Sequence, residues 1–133
     1  MQGALILAIS VHVLTATFWA GSTFALARTA GQNSRQLFGP QMGAALFAIG
    51  SGSYLFHVLH EGSFGTAEKL LVTGAVTAIL ALAIQAVIVG GALRRIRRSS
   101  SEPSAEARIT IAQRASAFLL VITVVTMAAS RFA

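Results

Sequence analysis

Charged side chains drop out of this chain in four long stretches. Residues 1–27 contain no Lys, Arg, Asp or Glu, and neither do 36–60, 70–93 or 115–130. A helix crosses the hydrocarbon of a bilayer with about 20 apolar residues. Three stretches reach that length outright; Ile109 to Ala112 extend the fourth, with Arg114 reaching the headgroups on its long stem. Backbone polar groups in hydrocarbon must be satisfied within their own segment, so each stretch is predicted to be helical. The pattern predicts an all-α fold: an integral membrane four-helix bundle, a single domain over residues 1–133. The spans fall at about 3–27, 40–60, 67–93 and 109–130.

The connectors follow from turn chemistry. "RTAGQNSRQLFGPQ" reads as a polar loop with turn residues at Gly31, Asn33, Gly39 and Pro40, and Pro40 suits the first turn of the second helix. "EGSFGT" turns the chain before the third helix. Residues 94–108, containing "RRSSSEPSAEAR", read as a flexible basic linker. A cleaved leader would need a basic start, and "MQGALILAIS" has none, so the first stretch is expected to remain as a span.

Composition agrees with a lipid solvent. The chain is 55% hydrophobic and 11% charged, against about 25% charged in soluble domains. The net charge of +6 does not point to nucleic acid, because of where it sits. Arg28, Arg35, Arg94, Arg95, Arg97, Arg98, Arg108 and Arg114 fall on one side of the predicted membrane, and only Lys69 and Arg131 on the other. The positive-inside rule makes the first side cytoplasmic. Both termini are then expected on the non-cytoplasmic side, in a multi-pass protein of a bacterial inner membrane. "LRRIRRSSS" marks topology and is also able to meet anionic lipid.

The candidate chemistry gathers in the outer half of that bundle. His12 lies roughly 13 Å below the outer end of helix one at about 1.5 Å per residue. An ionisable group so deep is costly and usually faces the bundle to serve a site; the alternative is a neutral imidazole bonded to a backbone carbonyl or a threonine. His57 and His60, spaced i, i+3, share a face of helix two, and together with His12 they are candidate metal ligands for zinc or copper. Glu61, Glu68 and Lys69 share that depth, with Phe18, Trp19, Tyr54, Phe56 and Phe64 as apolar walls. The small-residue run Gly50, Ser51, Gly52, Ser53 lets a helix or a flat cofactor approach closely, while ordinary packing accounts for Gly39 and Gly43. Gln85, a buried amide, is explained by interhelical hydrogen bonding. Haem suits such a place, since imidazole binds iron and aromatic and small residues sandwich the ring. The chain has no cysteine, which excludes thiolate ligands and disulfides.

"HVLTATFWAGSTFALAR", with Trp19 seven residues after His12 and Arg28 nine after Trp19, resembles the first helix of the HemJ-type protoporphyrinogen oxidases and their CopD-like relatives. "LFAIGSGSYLF", "EKLLVTGAV", "LRRIRR" and "FLLVITVVTMAASRFA" continue the likeness in order. The resemblance implies His12 as a haem ligand and Lys69 as a residue needed for activity, acting as a propionate partner, base or substrate anchor. The chain departs from the family in its cytoplasmic loop, and "GTAE" stands where an aromatic-His segment precedes the family's lysine.

The leading expectation is a membrane-embedded b-type haem protein with a redox role, oxidising a porphyrinogen or passing electrons to a quinone. His12, His57, Trp19, Gly50, Gly52 and Tyr54 would bind the cofactor, and Lys69 and Glu68 would handle protons or anionic groups. Two alternatives stand beside it. One is a cofactor-free structural or assembly subunit, as a homo-oligomer or part of a larger complex; the other is a copper- or zinc-handling protein.

Overall fold

A computed structural model of the chain describes residues 2–29, 34–59, 65–98 and 103–133. The described residues are helical almost throughout, with no strand among them. Helix α1 spans Gln2–Arg28 and α2 spans Ser34–Leu59. The third span runs without a break through Thr66–Ile84, a single π-helical turn at Gln85–Val89, and Gly90–Arg98; these together are α3. Helix α4 covers Pro103–Ala129 and ends in a 3₁₀ turn, Ser130–Phe132. Four helices are long and apolar enough to cross a bilayer, as the charge-free stretches predict.

The helices overrun the predicted limits at one end of the bundle. The end holding Arg28, Ser34, Arg98 and Pro103 is the arginine-rich end; the other, holding Gln2, Leu59, Thr66 and Ala129, is the terminal end. Helix α2 begins six residues before Pro40, which therefore lies inside it, and most of the expected linker 94–108 is helical. The physical reason is amphipathic patterning hidden among the arginines. Val89 and Ala92 of α3 bury against Ala105, Ile109 and Ala112 of α4, flanked by Phe38, Leu93 and Ile96. Those positions repeat every three or four residues, the signature of one buried helix face.

Neighbour relations run in the order α2, α1, α4, α3. Helix α1 lies along α2, α4 lies along α3, and α1 also meets α4, whereas α2 and α3 meet only briefly. A seam between α2 and α3 therefore stays open toward the terminal end. Toward the arginine-rich end it closes, where Phe38 of α2 reaches Gly90 of α3: a Cβ there would come within 3.1 Å of the phenyl ring.

The α3–α4 contact is close because small residues line it. Gly74, Ala78 and Ala81 are buried, and small side chains at such spacing let membrane helices approach. Thr77 and Thr123 share a 2.7 Å hydrogen bond across the seam, and the Thr123 hydroxyl also donates to the Gly74 carbonyl at 3.1 Å. A Cβ on Gly74 would fall 2.8 Å from Thr126 Oγ1 and 3.1 Å from Met127 Cγ. Gly74→Val is therefore expected to destabilise the bundle by about 1–3 kcal/mol through overpacking. Gly21→Val, where a Cβ meets nothing within 4 Å, is the control. Detergent unfolding followed by circular dichroism separates the two; equal losses would contradict this account of the seam.

Candidate functional site

His12 sits ten residues into α1, about 15 Å from the helix start at about 1.5 Å per residue. Its ring leans onto α2. Nδ1 lies 2.8 Å from the Ala48 carbonyl oxygen and 3.2 Å from Ser51 Oγ. A carbonyl only accepts, so Nδ1 must carry the proton. The Ser51 hydroxyl is already committed as donor to the Phe47 carbonyl at 2.6 Å, so it accepts a share of the same N–H. In the neutral ring this bond sets the tautomer, with the lone pair on Nε2. This is how metal-binding imidazoles are usually oriented, with one nitrogen tied to a carbonyl and the other presented as the donor atom.

The ring packs against Gly52 through Cε1 and Nδ1. A Cβ built there would be 2.9 Å from His12 Cε1 and 3.3 Å from Nδ1. Real carbon atoms do not approach so closely, so the imidazole occupies the space that any other residue at position 52 would fill. Of the four residues in the "GSGS" run, Gly52 is the one whose missing side chain is used here.

His12 opens onto a cleft of about 520 Å³ between the four helices, within the range of about 300–1,000 Å³ typical of cofactor and ligand pockets. This cleft is the terminal half of the α2–α3 seam. Its walls are apolar: Phe56 and Leu59 from α2, Leu71, Val76 and Ile79 from α3, and Leu120 and Met127 from α4. Trp19 forms the deep end, with Ser53 and Thr123 among the few polar groups.

Below Trp19 the bundle is tied by amides. The Trp19 indole N–H donates to Gln85 Oε1 at 2.7 Å. Because an indole nitrogen is donor only, this bond orients the Gln85 amide. Gln85 Nε2 then donates to Thr23 Oγ1 at 2.9 Å and to Gln113 Oε1 at 3.2 Å. Gln41 Nε2 donates to the same two oxygens, at 2.9 and 3.4 Å, and the Thr23 hydroxyl donates to the Trp19 carbonyl at 2.7 Å. All four helices contribute to this network. Gln41, Gln85, Gln113 and Thr23 are each completely buried, and Gln41 Oε1 and Gln113 Nε2 find no protein partner.

The predicted site residues divide cleanly. His12, Trp19 and Gly52 meet at the cleft. Gly50, Tyr54 and His57 are exposed and do not line it; at about 100° per residue they fall on the opposite face of α2. A Cβ at Gly39, Gly43 or Gly50 meets nothing within 4 Å, so helix packing within this chain does not account for the first two. Glu68 is buried, and its Oε2 accepts the Gly65 N–H at 2.8 Å, capping the start of α3. Lys69 is exposed and off the cleft-lining face. His60, Glu61 and Phe64 lie outside the described residues. Among the described residues no three of His, Cys, Asp and Glu converge as metal ligands. Gln41, Gln113 and Thr23 were not expected at the site. The signal for the amides was a single glutamine in each of the predicted spans 40–60, 67–93 and 109–130.

No family model matches the chain, and neither a curated protein nor a solved structure is similar enough to count as a match. The functional reading therefore stands on the cleft and the residues that line it.

Proposed function

We propose that this protein is a membrane-embedded haem b protein in which His12 would ligate the iron and the α2–α3 cleft would hold the macrocycle. The observation that carries the proposal is the His12–Ala48 bond, which in the neutral ring puts the proton on Nδ1 and the lone pair on Nε2, in a side chain that lines an apolar cleft. The residues present fit the group. An imidazole donor, the indole of Trp19, the ring of Phe56 and aliphatic side chains from all four helices are the surroundings such a cofactor takes. His57 lies across α2 from the cleft, so the described residues offer the iron one imidazole.

Bound there, haem supplies a one-electron couple. The protein's own part is to hold Nε2 in one orientation, to exclude water with Leu71, Val76 and Leu120, and to lower the dielectric around the site. Lys69 and Arg131 are the described basic side chains at the terminal end; Lys69 lies off the cleft-lining face, so its role toward anionic groups rests on the family resemblance and not on the cleft. The donors and acceptors that suit an apolar, laterally open cleft are themselves membrane-soluble: a porphyrinogen or a quinone. The basic bias of the connectors supports both termini on the non-cytoplasmic side, and the membrane assigned here is a bacterial inner membrane.

The test is a visible spectrum of the full chain purified in detergent, oxidised and reduced, with haem counted per chain. A Soret band with about one haem per chain is the expected result. A colourless protein from haem-replete cells would overturn the proposal. A second reading, a cofactor-free subunit of a larger membrane assembly, is favoured by the open space beside Gly39, Gly43 and Gly50, and that colourless protein arriving with other chains would support it.

A further inference from the structure

A second groove lies at the opposite end of the bundle, between the last turns of α3 and the first turns of α4. It encloses about 480 Å³ and is lined by Val87, Ile88, Gly91 and Arg95 from α3, and by Arg108 and Ile111 from α4. Positions 87, 91 and 95 recur every four residues and form one stripe of α3. Arg108 and Ile111 lie three apart and form the facing stripe of α4. Ala92 and Ala112 close the floor and are buried. The walls are open: Val87 is 72% exposed and Ile111 68%. A Cβ on Gly91 meets nothing within 4 Å, so the missing side chain widens the channel without admitting a neighbour.

The groove is polarised along its length. From Val87 to Arg95 is eight residues, about 12 Å at about 1.5 Å per residue. Its deeper part is wholly apolar. The end nearest the connector carries two guanidinium groups, one from each wall. An occupant must match that order, with an apolar body in the hydrocarbon and an anion at headgroup depth. Soluble anions have no use for the apolar channel, and an uncharged hydrophobe has none for two arginines. Guanidinium binds phosphate through paired N–H groups, and basic pockets between membrane helices are known to select anionic headgroups. We propose that this groove binds an anionic phospholipid, with Arg95 and Arg108 on the headgroup phosphate and one acyl chain along Val87, Ile88 and Ile111.

Native mass spectrometry of the full chain in detergent, titrated with phosphatidylglycerol and separately with phosphatidylcholine, tests this. The expected result is at least tenfold preference for phosphatidylglycerol. Arg95→Gln and Arg108→Gln should each weaken phosphatidylglycerol binding about fivefold, and the pair about thirtyfold, from about 1 kcal/mol per basic residue at an anionic surface. Arg28→Gln with Arg35→Gln, equal in charge change but outside the groove, should change it less than twofold. Gly91→Leu keeps both arginines and fills the channel, and should weaken both lipids about tenfold while leaving the helical spectrum intact. Equal losses from the two arginine pairs would reduce the effect to net charge and overturn the proposal. So would unchanged binding in Gly91→Leu, which would leave the channel without a role.

Discussion

Gly52→Val should abolish haem binding as completely as His12→Ala, although it leaves the ligand in place. The first β-carbon at position 52 already lies 2.9 Å from His12 Cε1, and valine adds two methyl groups to the same spot. Imidazole and valine cannot share it. Either the ring swings off α2 and breaks its 2.8 Å bond to the Ala48 carbonyl, or α1 and α2 separate. In both cases Nε2 no longer faces the cleft in a defined tautomer. Loss of a residue that orients a metal ligand typically costs about 10–100-fold in affinity, and outright displacement of the ligand should exceed that. Ser51→Ala is the graded comparison: it removes the 3.2 Å contact but keeps the carbonyl, and should retain haem with a modest loss. The measurement is haem per chain from the Soret band, beside a circular dichroism spectrum that reports folding. Full haem content in Gly52→Val would refute the assigned ligand geometry; a normal helix spectrum with no haem is the expected outcome.

Gln85→Leu should produce the largest stability loss among polar substitutions within the spans. Gln85 makes three side-chain bonds, to Trp19, Thr23 and Gln113. Interhelical hydrogen bonds in membrane proteins average about 0.6 kcal/mol each, which puts the loss at about 2 kcal/mol. The indole N–H suffers most, since it is left without an acceptor among apolar neighbours. Gln41→Leu removes only two weaker donations and abandons no donor-only group, so it should cost about 1 kcal/mol. Trp19 is the only tryptophan in the chain, so its emission reports the network directly. Unfolding in mixed detergent should show the weaker bundle, and the native emission should shift in Gln85→Leu but hardly in Gln41→Leu. Identical behaviour of the two variants would show that the amides are not oriented from the indole outward.

Much of this architecture was legible before any coordinates. Four gaps in the charge pattern mark the four spans because a bilayer tolerates few unpaired ions. The depth of His12 marked it for the same reason. Helix limits at the arginine-rich end were not legible by that rule. There the helices are held by Val89, Ala92, Ala105, Ile109 and Ala112, whose repeat is masked by the arginines between them. Which face of α2 turns inward was also hidden. In a membrane span both faces are apolar, so the usual polar stripe is missing, and Tyr54 and His57 look as plausible as Gly52 until a neighbour is seen. The inward face of α2 is the one that carries Gln41, Ala45, Ala48 and Gly52. Gln41 and Gln113 escaped because each alone is an unremarkable amide. Their meaning arises only when the helices bring them together around Thr23 and the Gln85 amide.

The gap between α2 and α3 also decides how anything reaches His12. With the four helices spanning a bilayer, as their length and apolarity allow, a mouth between two of them would open onto acyl chains, and on the proposed function a greasy visitor would enter sideways from the leaflet. Encounter then scales with moles of guest per mole of phospholipid, and the aqueous concentration drops out of the rate.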